Sequence, residues 1–182
     1  MQKKQQDLSI VVFGRTGTGK STLINKLAKT RVFDEGDTIF SETLHCATAS
    51  IKIKDKIVKV IDTPGFGDNR GDVKMTQLLK DIVRMLAQIQ GLSICLFCLN
   101  GAKGKPDQHD IEELDMMSAI MGQAITEHLV IAMTRMNTLA PDAKKQAYKM
   151  YSEELIFWDK FLNQSCLLIL TTLNSLKTNF LP

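Results

Sequence analysis

The chain has 182 residues, with 23 basic against 20 acidic side chains and a net charge of +3. That length suits one compact domain with a sizeable core, and so mild and interspersed a charge does not by itself point to a nucleic-acid or membrane surface. No apolar run reaches the ~20 residues of a membrane span. The start, MQKKQQDLSI, is polar where a signal peptide needs an apolar segment, so the chain reads as soluble and cytoplasmic, with any membrane association made through partners or a segment outside this sequence.

Residues 1–7 form a polar tail, and the first strand follows as LSIVVFG (8–14). Further β-rich runs are ATASIKIK (47–54), KIVKVID (56–62), SICLFCL (93–99), EHLVIAM (127–133) and CLLILTT (166–172). Between them KSTLINKLAK (20–29), VKMTQLLKDIVRMLAQIQ (73–90), HDIEELDMMSAIMG (109–122) and the segment 141–164 carry apolar residues at helical spacing. Such alternation predicts an α/β fold, a six-stranded, mostly parallel sheet with helices on both faces. The link KDK (Lys54–Lys56) is too short for a crossover helix, so the second and third strands form an antiparallel hairpin. Residues 173–182 are a short tail, too little for a long closing helix.

After the first strand, GRTGTGKST (Gly14–Thr22) fits G-x-x-x-x-G-K-[ST]. Gly14, Arg15, Thr16, Gly17, Thr18 and Gly19 would wrap a polyphosphate with backbone N–H groups, and the helix starting near Lys20 points its positive dipole end at the same anion. Lys20 would lie along the β- and γ-phosphates, Ser21 would ligate Mg²⁺ and Thr22 would approach the α-phosphate. A second site closes the third strand as DTPG: Asp62 would hold a water on Mg²⁺, and the Gly65 N–H would reach the γ-phosphate. Many ATPases place a glutamate directly after that aspartate to activate water; here Thr63 stands there, which disfavours a general-base ATPase. Between the two sites, residues 31–50 are rich in Thr, Ser, Asp and Gly, as expected of a loop that orders around phosphate and metal. Spacing leaves Thr38, Thr43 and Thr48 as candidates to complete the metal shell.

Taken together, GRTGTGKS, the threonine loop, DTPG and TRMN (Thr134–Asn137) resemble the G domain of the septin, Toc and immunity-associated (GIMAP or AIG-type) GTPases, and the last group most closely. The resemblance covers about residues 8 to 172. It implies a P-loop, Ras-like G domain over the whole chain, GTP and GDP with Mg²⁺ as ligands, slow hydrolysis, and homodimers or homo-oligomers formed through the nucleotide face. SETLHC (Ser41–Cys46) matches the family's S-x-T-x-x-C, which selects Thr43 for the metal alongside Ser21 and Asp62, and counts Thr43 with Lys20 and Gly65 as the catalytic set. Thr134 and the stem of Arg135 match the family's base pocket.

This sequence departs from the family pattern in two places. Some members carry an arginine between the fourth strand and the next helix that acts across a dimer, where NGAKGKPDQHD offers Lys103 and Lys105. A lysine lacks the fork that grips two phosphate oxygens. In the base motif T-R-x-D, the aspartate accepts two bonds from guanine, and Asn137 replaces it. An amide can accept one of those bonds, and the loss of one charge-assisted bond costs roughly 1.5–3 kcal/mol, so a shallow guanine preference is expected.

Phe66 follows the DTPG glycine where many relatives carry a water-positioning glutamine, so intrinsic turnover near roughly 10⁻⁴–10⁻² s⁻¹ is expected. Acceleration then needs a partner, with Arg15, Arg70, Lys103 and Lys105 as this chain's candidates; each otherwise reads as a solvated cation. Cys46, Cys95, Cys98 and Cys166 read as buried free thiols, with Cys95 and Cys98 on opposite faces of one strand. His45, His109 and His128 show no metal spacing, and Met116–Met121 reads as core.

Overall fold

A computed structural model describes residues 8–33, 46–53, 55–65, 72–89, 91–122 and 128–150. Its strands are β1 (Leu8–Phe13), β2 (Ala47–Ile53), β3 (Lys56–Asp62), β4 (Ile94–Asn100) and β5 (Leu129–Thr134). The helices are α1 (Lys20–Ala28), α2 (Asp72–Leu86), α3 (Gln108–Met121) and α4, which occupies 141–150 of the described residues. Short 3₁₀ turns at Gly101–Lys103 and Met136–Thr138 follow β4 and β5.

The five strands form one sheet in the order β2-β3-β1-β4-β5. Strands β3, β1, β4 and β5 run parallel, and β2 pairs antiparallel to β3 from Ala47↔Asp62 to Ile53↔Lys56. The short link therefore makes the expected hairpin. The sixth expected strand, 166–172, lies outside the described residues, as does most of the fourth helix. Helix α2 stops at Leu86, short of residue 90, because the amides of Gln88 and Ile89 turn back to carbonyls three residues earlier and tighten the last turn.

Burial explains the strand sequences. β1, β4 and β5 are covered on both faces and read as unbroken apolar runs, whereas β2 alternates exposed and covered positions as a strand with one wet face does. One face packs Phe13, Cys95, Phe97, Leu99 and Ile131 against Ile82 of α2 and Leu114 and Met117 of α3. The opposite face packs Ile10, Val12, Val60, Leu96 and Cys98 against Leu23 and Ile24 of α1. Cys95 and Cys98 thus face opposite sides, as their spacing predicts. The methionines of α3 line the first core, where Phe13 and Phe97 also stack with ring centres 4.9 Å apart. No helix among the described residues is long and apolar enough to cross a membrane.

This topology positions the site. The chain leaves β1 toward β3 on one side and β4 on the other, so a crevice opens beyond the carboxyl end of β1. Residues 14–19, Asp62, Asn100 and Thr134 all sit at that edge, at or just past strand ends that are in register at Val12↔Asp62 and Asn100↔Thr134.

Candidate nucleotide site

Residues 14–19 form a tight turn between β1 and α1, with φ of +77° at Gly17 and +86° at Gly19. A Cβ on Gly14 would run into the Cys98 carbonyl of β4, so only glycine lets the loop pass so close to the sheet. Thr18 closes the turn, its N–H and hydroxyl both donating to the Arg15 carbonyl at 3.1 and 2.8 Å. Gly19 caps α1, and no acidic side chain occupies the helix's first turn. The helix start is therefore free of built-in negative charge, which suits an incoming anion.

Lys20 is buried, and its ammonium donates to the Gly14 carbonyl at 2.5 Å and the Arg15 carbonyl at 3.1 Å. Its charge thus sits inside the curve of the loop. Thr22 lies half-buried two residues on.

The Ser21 hydroxyl donates to Asp62 Oδ2 at 3.0 Å, which joins the start of α1 to the end of β3. Asp62 is 3% exposed, and its other oxygen, Oδ1, is buried with no hydrogen-bond partner. Burial pushes the carboxyl up from its ordinary value, against the pull of the Lys20 ammonium and the Ser21 hydrogen bond. A buried carboxylate oxygen without a donor beside a hydroxyl is chemistry that fits a hard divalent cation. Ser21 and Asp62 could hold Mg²⁺ here. Among the described residues no three His, Cys, Asp or Glu side chains form a metal cage; magnesium held by one carboxylate, hydroxyls, waters and phosphate needs none.

Thr63 and Gly65 bring the second motif onto the first. Thr63 is buried, and its N–H and hydroxyl both donate to the Val12 carbonyl, at 3.0 and 2.9 Å, so it stitches β3 to β1 rather than facing a water. A Cβ on Gly65 would collide with Thr16 backbone N and lie 2.8 Å from the Arg15 carbonyl carbon. Gly65 backbone therefore touches the phosphate loop directly.

From the other side, the Thr134 hydroxyl at the end of β5 donates to the Thr18 carbonyl and the Leu99 carbonyl, and its side chain lies against Gly19. Arg135 then takes a left-handed conformation, φ +56°, held by Thr138, whose N–H and hydroxyl donate to the Arg135 carbonyl. Arg135 and Asn137 are exposed and Met136 turns in against Gly101. So TRMN is a braced turn that presents Arg135 and Asn137 outward beside the phosphate loop.

The remaining candidates divide. Thr43, the threonine expected to complete the metal shell, lies outside the described residues with Thr38, His45, Phe66, Arg70 and Cys166. Thr48 is an exposed position of β2 paired with Ile61. His109 is exposed beside Glu112, at 3.3 Å, and Lys105 is exposed. Arg15 and Lys103 are not the separate solvated cations the sequence suggested. Both converge on Asp107, Arg15 through two contacts at 2.9 and 3.3 Å and Lys103 at 2.7 Å. Partial burial of Asp107 acts to raise its carboxyl, but the Lys103 and backbone Asp110 hydrogen bonds, with the charges of Lys103 and Arg15, outweigh it and hold it at about 2. The same carboxylate caps α3 in a reciprocal box with Asp110. Cys95 and Cys98 are free, and burial pushes each thiol up to about 12.

One residue escaped the sequence reading altogether. Glu113 of α3, 2% exposed, accepts the Gly14 N–H on Oε1 at 2.9 Å across 99 residues of chain. Its sequence signal is a carboxyl beside Leu114 and Met117 on the buried stripe of the helix, which also carries Asp110.

The AIG1 family model matches residues 8–167. Immune-associated nucleotide-binding protein 7 of Arabidopsis thaliana is 31% identical over 131 residues, 71% of this chain and 42% of that protein. The chain spans less than half the length of the curated relatives it matches. Among solved structures, Toc33 of Arabidopsis thaliana in complex with GDP and Mg²⁺ superposes with a TM-score of 0.72 at 17% identity, over 93% of this chain and 72% of that one. A structure of the chloroplast translocon components atToc33 and psToc159, for which dimerisation is described as important for GTPase activity, gives 0.71 at 17% identity over 91% and 69%. These likenesses show the fold, a P-loop G domain with a mostly parallel sheet, and the family match goes further: the chain belongs to the AIG1 family.

Proposed function

We propose that this chain binds GTP and GDP with Mg²⁺, hydrolyses GTP slowly, and pairs with a second copy through its nucleotide face. The observation that carries the reading is the meeting of Lys20, the Ser21–Asp62 pair and Gly65 around one glycine turn, with Asp62 Oδ1 buried and lacking a donor. Family membership supports it, as do fold relatives solved with GDP and Mg²⁺ or for which dimerisation is described as important for GTPase activity.

The chain's own residues divide the work. Apart from the Gly14 N–H, which Glu113 holds, and the Thr18 N–H, which closes the turn, backbone N–H groups of Gly14–Gly19 and the start of α1 take the phosphates, and Lys20 supplies a buried positive charge. Ser21, Asp62 and, from the family pattern, Thr43 hold the metal, which when bound neutralises charge on the β- and γ-phosphates. Gly65 offers its N–H to the terminal phosphate, so the DTPG turn registers whether that phosphate is present. Thr134, Arg135 and Asn137 receive the base. Thr63 contributes no general base, because Val12 already occupies its hydroxyl.

The Asp107 cluster favours a second reading, a nucleotide-loaded scaffold that hydrolyses poorly and has relaxed base specificity. In it Asp107 keeps Arg15 and Lys103 engaged rather than available to a phosphate. Single-turnover hydrolysis at low and high protein concentration separates the two. A rate that climbs with concentration supports assembly-driven catalysis; a flat rate near background supports the scaffold.

A further inference from the structure

We propose that Glu113 is a positioning residue for the phosphate loop, holding the Gly14 peptide in place from beneath when nucleotide is bound. The inference rests on the nucleotide-binding reading for its consequence, though not for its geometry. Gly14 opens the loop, and its peptide groups are held from two sides: its N–H by Glu113 Oε1 at 2.9 Å and its carbonyl by the Lys20 ammonium at 2.5 Å. Next along, the Arg15 carbonyl also accepts from Lys20, while the Arg15 side chain is gripped by Asp107 at the start of the helix that carries Glu113. Helix α3 therefore ties to this dipeptide at two points, one buried and one at the rim.

The buried tie matters most in the loaded state. An ammonium has three donors, and a bound phosphate claims Lys20 at least in part, loosening its hold on the Gly14 and Arg15 carbonyls. The Glu113 bond faces away from the ligand and competes with nothing. No Cβ at position 14 could wedge the loop instead, since the Cys98 carbonyl fills that space. A hydrogen bond to the Gly14 N–H is then what keeps the first turn wrapped, and losing the partner of a buried donor weakens a site by roughly tenfold or more.

Two substitutions separate reach from charge. Glu113→Gln keeps an acceptor at the same length without the charge. Glu113→Asp keeps the carboxyl but falls short by about one carbon–carbon bond, ~1.5 Å, which takes a 2.9 Å contact out of hydrogen-bond range. Two measurements follow on the whole chain: fluorescent GDP dissociation with Mg²⁺, and hydrogen exchange at the Gly14 amide without nucleotide. The proposal expects Glu113→Gln to stay within about threefold of wild type in both. It expects Glu113→Asp to release GDP roughly tenfold faster and to lose Gly14 protection. Equal protection and release in the two variants, or loss in Gln with retention in Asp, overturns it. If the wild type retains no GDP, the nucleotide reading fails separately, and exchange at Gly14 still decides whether Glu113 holds the loop.

Discussion

Gly65→Ala tests the contact between the two phosphate motifs. The new Cβ would collide with Thr16 backbone N and approach the Arg15 carbonyl carbon at 2.8 Å, so a flexible side-chain tip cannot yield and the DTPG turn must back away. Overpacking of this kind costs roughly 1–3 kcal/mol. Gly65 is not among the residues with positive φ, so alanine also restricts the unfolded chain and returns about 0.4–1 kcal/mol. The net expectation is a loss of roughly 0–2.6 kcal/mol in urea unfolding without ligand. The effect on binding is more selective. Backing away removes one N–H bond to a charged terminal phosphate, worth roughly 1.5–3 kcal/mol, or about 10- to 150-fold, and leaves the β-phosphate contacts in place. Isothermal calorimetry with GDP and with a non-hydrolysable GTP analogue reads this as a ratio. The analogue should weaken at least tenfold more than GDP; equal weakening of both would refute the placement of Gly65 at the terminal phosphate.

Two further expectations follow from the base turn and the cap of α3. Asn137→Asp should tighten GTP relative to ATP, by roughly 10- to 150-fold if the second charge-assisted bond is restored; unchanged affinities for both in calorimetry would remove Asn137 from base recognition. For Asp107→Asn, asparagine caps a helix about as well, so the change isolates the ion pairs with Arg15 and Lys103. Asp107 is held at about 2, below its ordinary value of 3.8. Its stabilisation is therefore present above about pH 4 and is lost as pH falls toward 2. Because the side chain is 39% exposed, wild type should exceed the variant by no more than about 1 kcal/mol at neutral pH. Unfolding free energies measured from pH 7 to 2 should converge at the acid end, and a gap that widens there would contradict the pairing.

How much was legible in the sequence depended on how local each signal was. The phosphate loop is contiguous, and glycine spacing with a following lysine and serine dictates its shape without reference to the rest of the fold. The β2–β3 hairpin was equally local, since KDK leaves no room for a crossover. Opposed faces for Cys95 and Cys98 followed from strand periodicity. Long-range polar pairings were the part that escaped. Arg15 looks like a solvated cation because Asp107 is 92 residues away, and Lys103, only four residues from Asp107, reads as a solvated surface pair until Arg15 is brought to the same carboxylate. Glu113 is not legible in the sequence because a carboxyl beside Leu114, on a helix stripe that also carries Asp110, has no meaning until the loop above it is placed. Thr63 was read from the glutamate it replaces, while its actual task, joining β3 to β1, needed the sheet. Thr134 was assigned to the base alone, yet its hydroxyl also braces Thr18 and Leu99, which links the base turn to the phosphate loop.

The most direct test of the account is retention of radiolabelled GTP by the purified chain with Mg²⁺, compared with Lys20→Ala and with wild type in excess EDTA. The account predicts saturable retention by the wild type, a loss of at least tenfold in Lys20→Ala, and a drop when the metal is chelated. Absence of retention by the wild type, or a Lys20→Ala variant that holds the nucleotide equally well, would contradict it.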